Sequence, residues 1–217
     1  MLEEHRSRAH AASVVEMPSH LSSTALVSLA RDSDDFALHT RRPLPVEPTV
    51  AAERGSAFHA WIENYFGMGG LMDLEHVERA GHGQDLGVLK DAFLASEWAG
   101  RKPSHIEIDV EVPLAGTMIR SRIDAVFPIQ EGLERVTVVD WKSGRPPQNE
   151  TERASREVQL AMYRLAWARW NQVQVSDVDA AFFYAATGQT VRPQALASEA
   201  ELEALLEDAV DSSESAL

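Results

Sequence analysis

Strict alternation from Ile106 to Leu114 sets the first constraint on what this chain can become. Ile106, Ile108, Val110, Val112 and Leu114 share one side while Glu107, Asp109 and Glu111 share the other, a period of two that belongs to a half-buried strand. Two further extended segments follow, Thr117 to Phe127 and Val136 to Lys142, the second joined to the first by a connection containing Pro128 and Gly132. With Gly116 between them, the first two segments are expected to form a hairpin whose polar face brings Glu111 near Arg122 or Asp124. There Glu111 either extends an acidic site or closes a cross-strand salt bridge, the commoner role for such a residue.

Side chains two apart on a strand share a face, so Asp140 and Lys142 point the same way in Val138-Val139-Asp140-Trp141-Lys142. Asp124 sits on the strand before, at the parity of Arg120, Arg122 and Val126. If these strands are neighbours, two acids and a lysine converge. Two carboxylates can hold a hard divalent cation, and a lysine beside it can orient a water, which together suit metal-assisted attack on a phosphodiester. The plainer alternative is an edge ion pair between Asp140 and Lys142, with Asp124 capping a turn.

Helical periods surround this core. Leu21 to Asp32 reads as a helix with Ser22 or Ser23 as N-cap, and Arg42 to Pro48 as extended chain. Glu53 to Phe66 places Phe58, Ile62, Tyr65 and Phe66 at core spacing, and sets His59 and Glu63 four apart on another face. His59 is a candidate metal ligand with Glu63 behind it; a surface His–Glu pair is the alternative. Gly55, one turn earlier, would let another backbone approach closely. Gly67 to Gly87 reads as a surface excursion and Asp85 to Trp98 as a helix. Glu157 to Trp170 is a strong amphipathic helix with Gln159 and Tyr163 one turn apart on a polar stripe. Asp179 to Ala185 reads as a buried strand, Thr190 to Arg192 as a short one. Ser198 and Glu201 make a capping box for a last helix, Ser198 to Val210.

Composition removes several classes of function. The chain has no cysteine, which excludes disulfides, thiolate catalysis and iron–sulfur clusters. No phosphate-binding glycine loop with its Lys-Ser or Lys-Thr occurs, so no nucleotide is expected to bind by that route. No apolar run has the length of a membrane span and no signal-peptide core is present, so no membrane contact and a cytoplasmic location are expected. The net charge of −14 looks hostile to nucleic acid, yet it is unevenly spread. Gly116 to Trp170 carries nine Lys+Arg against seven Asp+Glu, while the rest carries eleven against twenty-seven. Residues 21–210 are expected to form one domain, with 1–20 a linker or disordered edge and 211–217 a frayed tail.

The order of these pieces resembles the PD-(D/E)xK nucleases of the RecB type. The matching segments are Arg54-Gly55-Ser56-Ala57-Phe58-His59, Arg122-Ile123-Asp124-Ala125-Val126, Val139-Asp140-Trp141-Lys142-Ser143-Gly144 and Gln159-Leu160-Ala161-Met162-Tyr163. From about Leu21 onward the chain looks like the C-terminal nuclease domain of actinobacterial UvrD/RecB-like helicases of the AdnAB kind. The resemblance implies an α/β fold with a restriction-endonuclease-like core, a central mixed sheet flanked by helices with extra helices at the N-terminus. It implies Mg²⁺ or Mn²⁺ held by His59, Asp124, Asp140 and the backbone carbonyl of Trp141, with Asp124, Asp140 and Lys142 catalytic. Gln159 and Tyr163 match the motif that supports the site and contacts DNA, with Glu63, Glu111 and Arg122 of second rank. Implied further are hydrolysis of DNA, exonucleolytic rather than endonucleolytic, leaving 5′-phosphate and 3′-hydroxyl ends. A helicase motor, in the same chain or in a partner subunit, would feed it single strands during break resection and recombinational repair. A non-cleaving DNA-binding or scaffold module on the same fold is the alternative, and an unrelated domain with an acidic partner surface ranks last.

Overall fold

β2 (His105–Leu114) and β3 (Thr117–Pro128) form the hairpin that the alternation predicts, turned by Ala115 and Gly116 at φ 44° and 77°. Two left-handed residues are what a two-residue turn between right-twisted strands requires. The computed structural model describes residues 19–31, 36, 49–67, 83–129 and 135–214; at 83, 84 and 209–214 it describes backbone alone. The expected linker up to residue 18, the proline-rich run 42–48 and most of the glycine-rich excursion therefore lie outside the described residues.

The sheet has six strands and is mixed. β4 (Val136–Lys142) runs antiparallel to β3, and β5 (Val178–Tyr184) runs parallel to β4 along its whole length. β6 (Gln189–Val191) closes one edge, while β1 (His20–Ser22) pairs in parallel with Met118 to Arg120. β2 takes one edge of β3 over nearly its full length, so β1 and β4 share the other edge at opposite ends. Between them, Ser121 to Asp124 have no strand partner on that side.

Helices cover both faces. α1 (Ser23–Arg31), α4 (Glu150–Asn171) and α5 (Glu199–Glu214) lie on one, burying Leu26, Val138, Leu160, Trp167, Phe182 and Leu206 together. α2 (Val50–Gly67) and α3 (Gly83–Leu94) lie on the other, over Trp98, Ala125, Phe127, Trp141 and Phe183. α4 is the crossover between the parallel strands β4 and β5.

The elements differ from expectation mostly at their ends. α4 begins at Glu150 rather than Glu157 because Asn149 caps it, its side chain accepting from Glu152 N at 2.8 Å; that first turn is exposed and shows no apolar period. α3 ends at Leu94, and Trp98 reaches the core from the turn beyond. α1 starts at Ser23 with Ser22 Oγ accepting from Ala25 N at 3.0 Å, and the residues before it form β1, too short to show a period. The capping box of α5 is present, with Ser198 N donating to Glu201 Oε2 at 2.7 Å, but the helix runs on to Glu214 past Val210.

The hairpin also twists across the sheet. Ile119 and Ile123 pack on the α4 side, whereas Ala125 and Phe127, at the same parity, pack under α3. The change falls at Asp124, where the β2–β3 ladder skips a pair between Ile106–Ala125 and Ile108–Ile123, and Glu107, in the skipped position of β2, takes a left-handed φ of 49°.

Phe93 is the hub that docks α2 and α3 on the sheet, with ring contacts to Phe58, Trp61, Tyr65, Phe66, Trp141 and Phe183. Removing that fully buried ring should cost about 3–5 kcal/mol. Urea unfolding of Phe93→Ala is expected to show that loss, against no more than about 0.5 kcal/mol for Val88→Ala on the exposed side of the same helix. A loss under about 1 kcal/mol at Phe93 would contradict this account of the docking.

Candidate active site

The β3–β4 ladder stops at Ala125 opposite Val139. The next positions in register are Asp124 and Asp140, which therefore face one another, on the same side, where the strands separate. The backbone N–H freed by that separation is taken up by a side chain: Trp141 N donates to Asp124 Oδ2 at 2.7 Å. Asp124 and Asp140 are buried, at 6% and 2% exposure.

Lys142 continues the same face. Its Nζ stands 2.7 Å from Asp140 Oδ2 and donates to Gln159 Oε1 at 2.9 Å. Gln159 Nε2 in turn donates to the Tyr163 hydroxyl at 2.8 Å, so α4 braces the lysine through two side chains one turn apart. Ser23, at the start of α1, also bonds the Tyr163 hydroxyl. Burial works against the Lys142 charge, but Asp140 beside it and Asp124 beyond outweigh that effect and raise its pKa. Tyr163 is pushed up as well, by burial first and then by the two aspartates, so it stays a neutral phenol.

α2 delivers His59. Its Nε2 donates to the Trp141 carbonyl at 2.9 Å, and Nδ1 lies 3.4 Å from Glu107 Oε1 and 3.7 Å from Asp124 Oδ1. Close docking of this helix on the end of β4 needs a small residue, and a Cβ on Gly55 would stand 3.3 Å from Ser143 Oγ. Burial opposes protonation of His59, yet the Glu107 hydrogen bond and the charges of Asp124, Asp140 and Glu107 overcome it and lift the pKa to about 9. The Asp124 carboxyl is raised, by its burial and then by the Asp140 charge.

The site offers groups that could hold a divalent cation. One face has the Trp141 carbonyl and Asp140, whose buried Oδ2 is ion-paired with Lys142. On the other face, donor atoms of His59, Glu107 and Asp124 lie within 4.8 Å of one another. Hard oxygens with one imidazole suit Mg²⁺ or Mn²⁺.

The structure thus brings together His59, Asp124, Asp140, the Trp141 carbonyl, Lys142, Gln159 and Tyr163. Arg122 lies at the rim, its Nε donating to Glu107 Oε2 at 2.6 Å. Glu63 is exposed on the same rim. Glu111 is not part of the cluster: it is exposed and pairs in register with Arg120. The acid that does reach the site is Glu107, which sequence reasoning left on the polar side of its strand. A hairpin turned by Ala115 and Gly116 pairs Leu114 with Thr117, and counting back from that pair sets Glu107 against Asp124.

Two cavities open on the site and share His59, Asp124 and Tyr163 as their common wall. One, of about 390 Å³, reaches Lys142, Ser143 and Arg156. The other, of about 460 Å³, reaches Glu63, Glu107 and Arg122.

The family model that describes the PD-(D/E)XK nuclease superfamily matches residues 20–216. Among solved structures, a protein described as a candidate exonuclease from Eubacterium rectale aligns over 100% of this chain and 87% of its own, at 11% identity and a TM-score of 0.50. That likeness speaks to the fold. The crystal structure of SSO0001 aligns over 97% of this chain and 86% of its own, at 16% identity and a TM-score of 0.45. No curated protein matches the chain.

If His59 is a ligand, metal binding must expel its second proton, because a nitrogen that carries one cannot coordinate. With that pKa at about 9, proton competition operates at every pH below it, so Mn²⁺ affinity should rise steadily from pH 6 to about pH 9 and level off. Calorimetry across that range, in buffers of different ionisation enthalpy, should register proton release on binding. Affinity independent of pH, with no proton release, would remove His59 from the ligand set.

Proposed function

This chain belongs to the PD-(D/E)XK nuclease superfamily, and from that premise we propose that it is a Mg²⁺- or Mn²⁺-dependent deoxyribonuclease of the RecB type, acting on single strands. The observation that carries the reading is the facing pair Asp124 and Asp140, with Lys142 ion-paired beside them at the mouth of an open cavity. No described helix is long and apolar enough to cross a membrane, and we place the activity in the cytoplasm, beside a helicase motor in the same chain or a partner subunit. The order of the motifs supports that assignment, as does a middle segment that is less acidic than the rest. Break resection in recombinational repair, by exonucleolytic cutting, is the role that fits such an arrangement.

Asp124, Asp140, His59 and the Trp141 carbonyl would hold the ion. When bound, it supplies a water of lowered pKa and neutralises charge building on the phosphate. The chain's own groups do the rest. Lys142, kept cationic by Asp140, presents a fixed ammonium to a phosphate oxygen and to the attacking water, with no reorganisation needed as charge develops. Gln159 fixes where that ammonium points, and Tyr163 fixes Gln159. Arg156, at the rim of the same cavity, offers a guanidinium to the phosphate next to the one cut.

Labelled single-stranded DNA should be cut by the wild type with Mg²⁺ or Mn²⁺ and left intact with chelator. Asp140→Ala and Lys142→Ala should each lower cutting by at least about a thousandfold while the far-UV spectrum stays native. Wild-type rates in either variant would sink the site assignment. Metal bound without cutting in the wild type would favour the non-cleaving module.

A further inference from the structure

Glu63, in the wall of the cavity on the Arg122 side of the site, also lines a third and larger cavity of about 830 Å³, walled by the last turn of α2 and by residues 99–106 leading into β2. Its lining is unlike that of the catalytic end. Among the described residues its lining beyond Glu63 holds no carboxylate; Tyr65 and Phe66 supply ring surface, and Arg101 and Lys102 supply positive charge. Arg101 is fixed in place, donating to the Pro128 carbonyl at 2.9 Å with its guanidinium over the Trp98 and Phe127 rings. Lys102 beside it is exposed.

His105, at the start of the edge strand β2 and in the lining of this cavity, turns its ring to α4 on the other face of the sheet and meets Trp167 and Trp170 edge-on at 5.0 and 5.9 Å. Trp167 is buried, but Trp170 is 48% exposed although both neighbours hold its ring in place. An indole fixed on one side and bare on the other offers a ready stacking face. Cations and held rings thus occur together, one shared wall residue away from the site, on a chain whose net charge is −14.

We propose that this groove is the binding track of an unpaired nucleic-acid strand whose scissile phosphate lies at Asp124 and Asp140, with Trp170 and His105 stacking a base and Lys102 meeting a phosphate. The proposal rests on the nuclease reading and names the form of its substrate. A duplex keeps its base faces stacked on one another, so an aromatic wall can be used only by an unpaired strand. From His59 to Gly67 the helix beside the track rises about 12 Å, the span of roughly three stacked nucleotides at about 3.4 Å each. The track therefore engages a few nucleotides beyond the bond that is cut.

The test is fluorescence anisotropy with labelled oligothymidine and with a duplex of the same length, in chelator so that nothing is cut. Trp170→Ala should bind the single strand about tenfold more weakly and the duplex as the wild type does, while Trp170→Tyr recovers most of the loss. Lys102→Ala should lower the slope of log affinity against log salt by about 0.7 for the single strand. Hydrolysis of bis(p-nitrophenyl) phosphate, too small to reach Trp170, should be unchanged in both variants. Wild-type single-strand affinity in Trp170→Ala would overturn the track and leave that indole to a protein partner; an equal loss for both strands and duplex would also overturn it. Absence of any hydrolysis by the wild type, with the Trp170 effect intact, would sink the nuclease reading and leave the track standing.

Discussion

Two carboxylates facing each other under cover of protein are the constraint to which the rest of this structure responds. Two carboxylates under such cover resist being ionised together, and the Asp124 carboxyl is raised accordingly, by its burial and then by the Asp140 charge. Each also loses hydration. A fold keeps such a pair only with cations and donors around it, and each neighbouring element supplies one. β4 gives the Trp141 N–H and Lys142, α2 gives His59, and α4 gives the glutamine that restrains the lysine. Asp140 leans on Lys142 for its charge partner.

The separation of β3 from β4 turns a sheet into a site. Had the ladder continued, Trp141 N–H would have gone to a backbone carbonyl and the two acids would have been ordinary strand neighbours. Separation lets α2 enter from one side with His59 and α4 from the other with Gln159. Further out, the aromatic cluster around Phe93 anchors α2 and α3, and Trp141 belongs to that cluster through its side chain while its backbone serves the site. Core and chemistry therefore meet in a single residue.

Much of this was legible in the sequence because period-two alternation and helical spacing report burial directly. The strands 105–114, 117–128 and 136–142, the shared face of Asp140 and Lys142, and the Gln159–Tyr163 pair all follow from that. Glu111 was expected near Arg122 or Asp124 for want of a register, and stands opposite Arg120. Alternation tells which side a residue is on but not what stands opposite, and only counting from the Ala115–Gly116 turn separates Glu107 from Glu111. The twist at Asp124 was not legible, because it depends on both faces of β3 being covered from Ile123 onward by helices distant in sequence. Nor was the start of α4, which rests on an exposed capped turn rather than an apolar stripe.

Locating an ion tests the central claim most directly. Crystals soaked in Mn²⁺ and measured at the manganese absorption edge should show an anomalous peak within coordinating distance of Asp124, Asp140 and the Trp141 carbonyl. His59 Nε2 should then point at the ion, its bond to that carbonyl broken. No peak at saturating Mn²⁺, or a peak elsewhere with Asp140 still paired only to Lys142, would contradict the account.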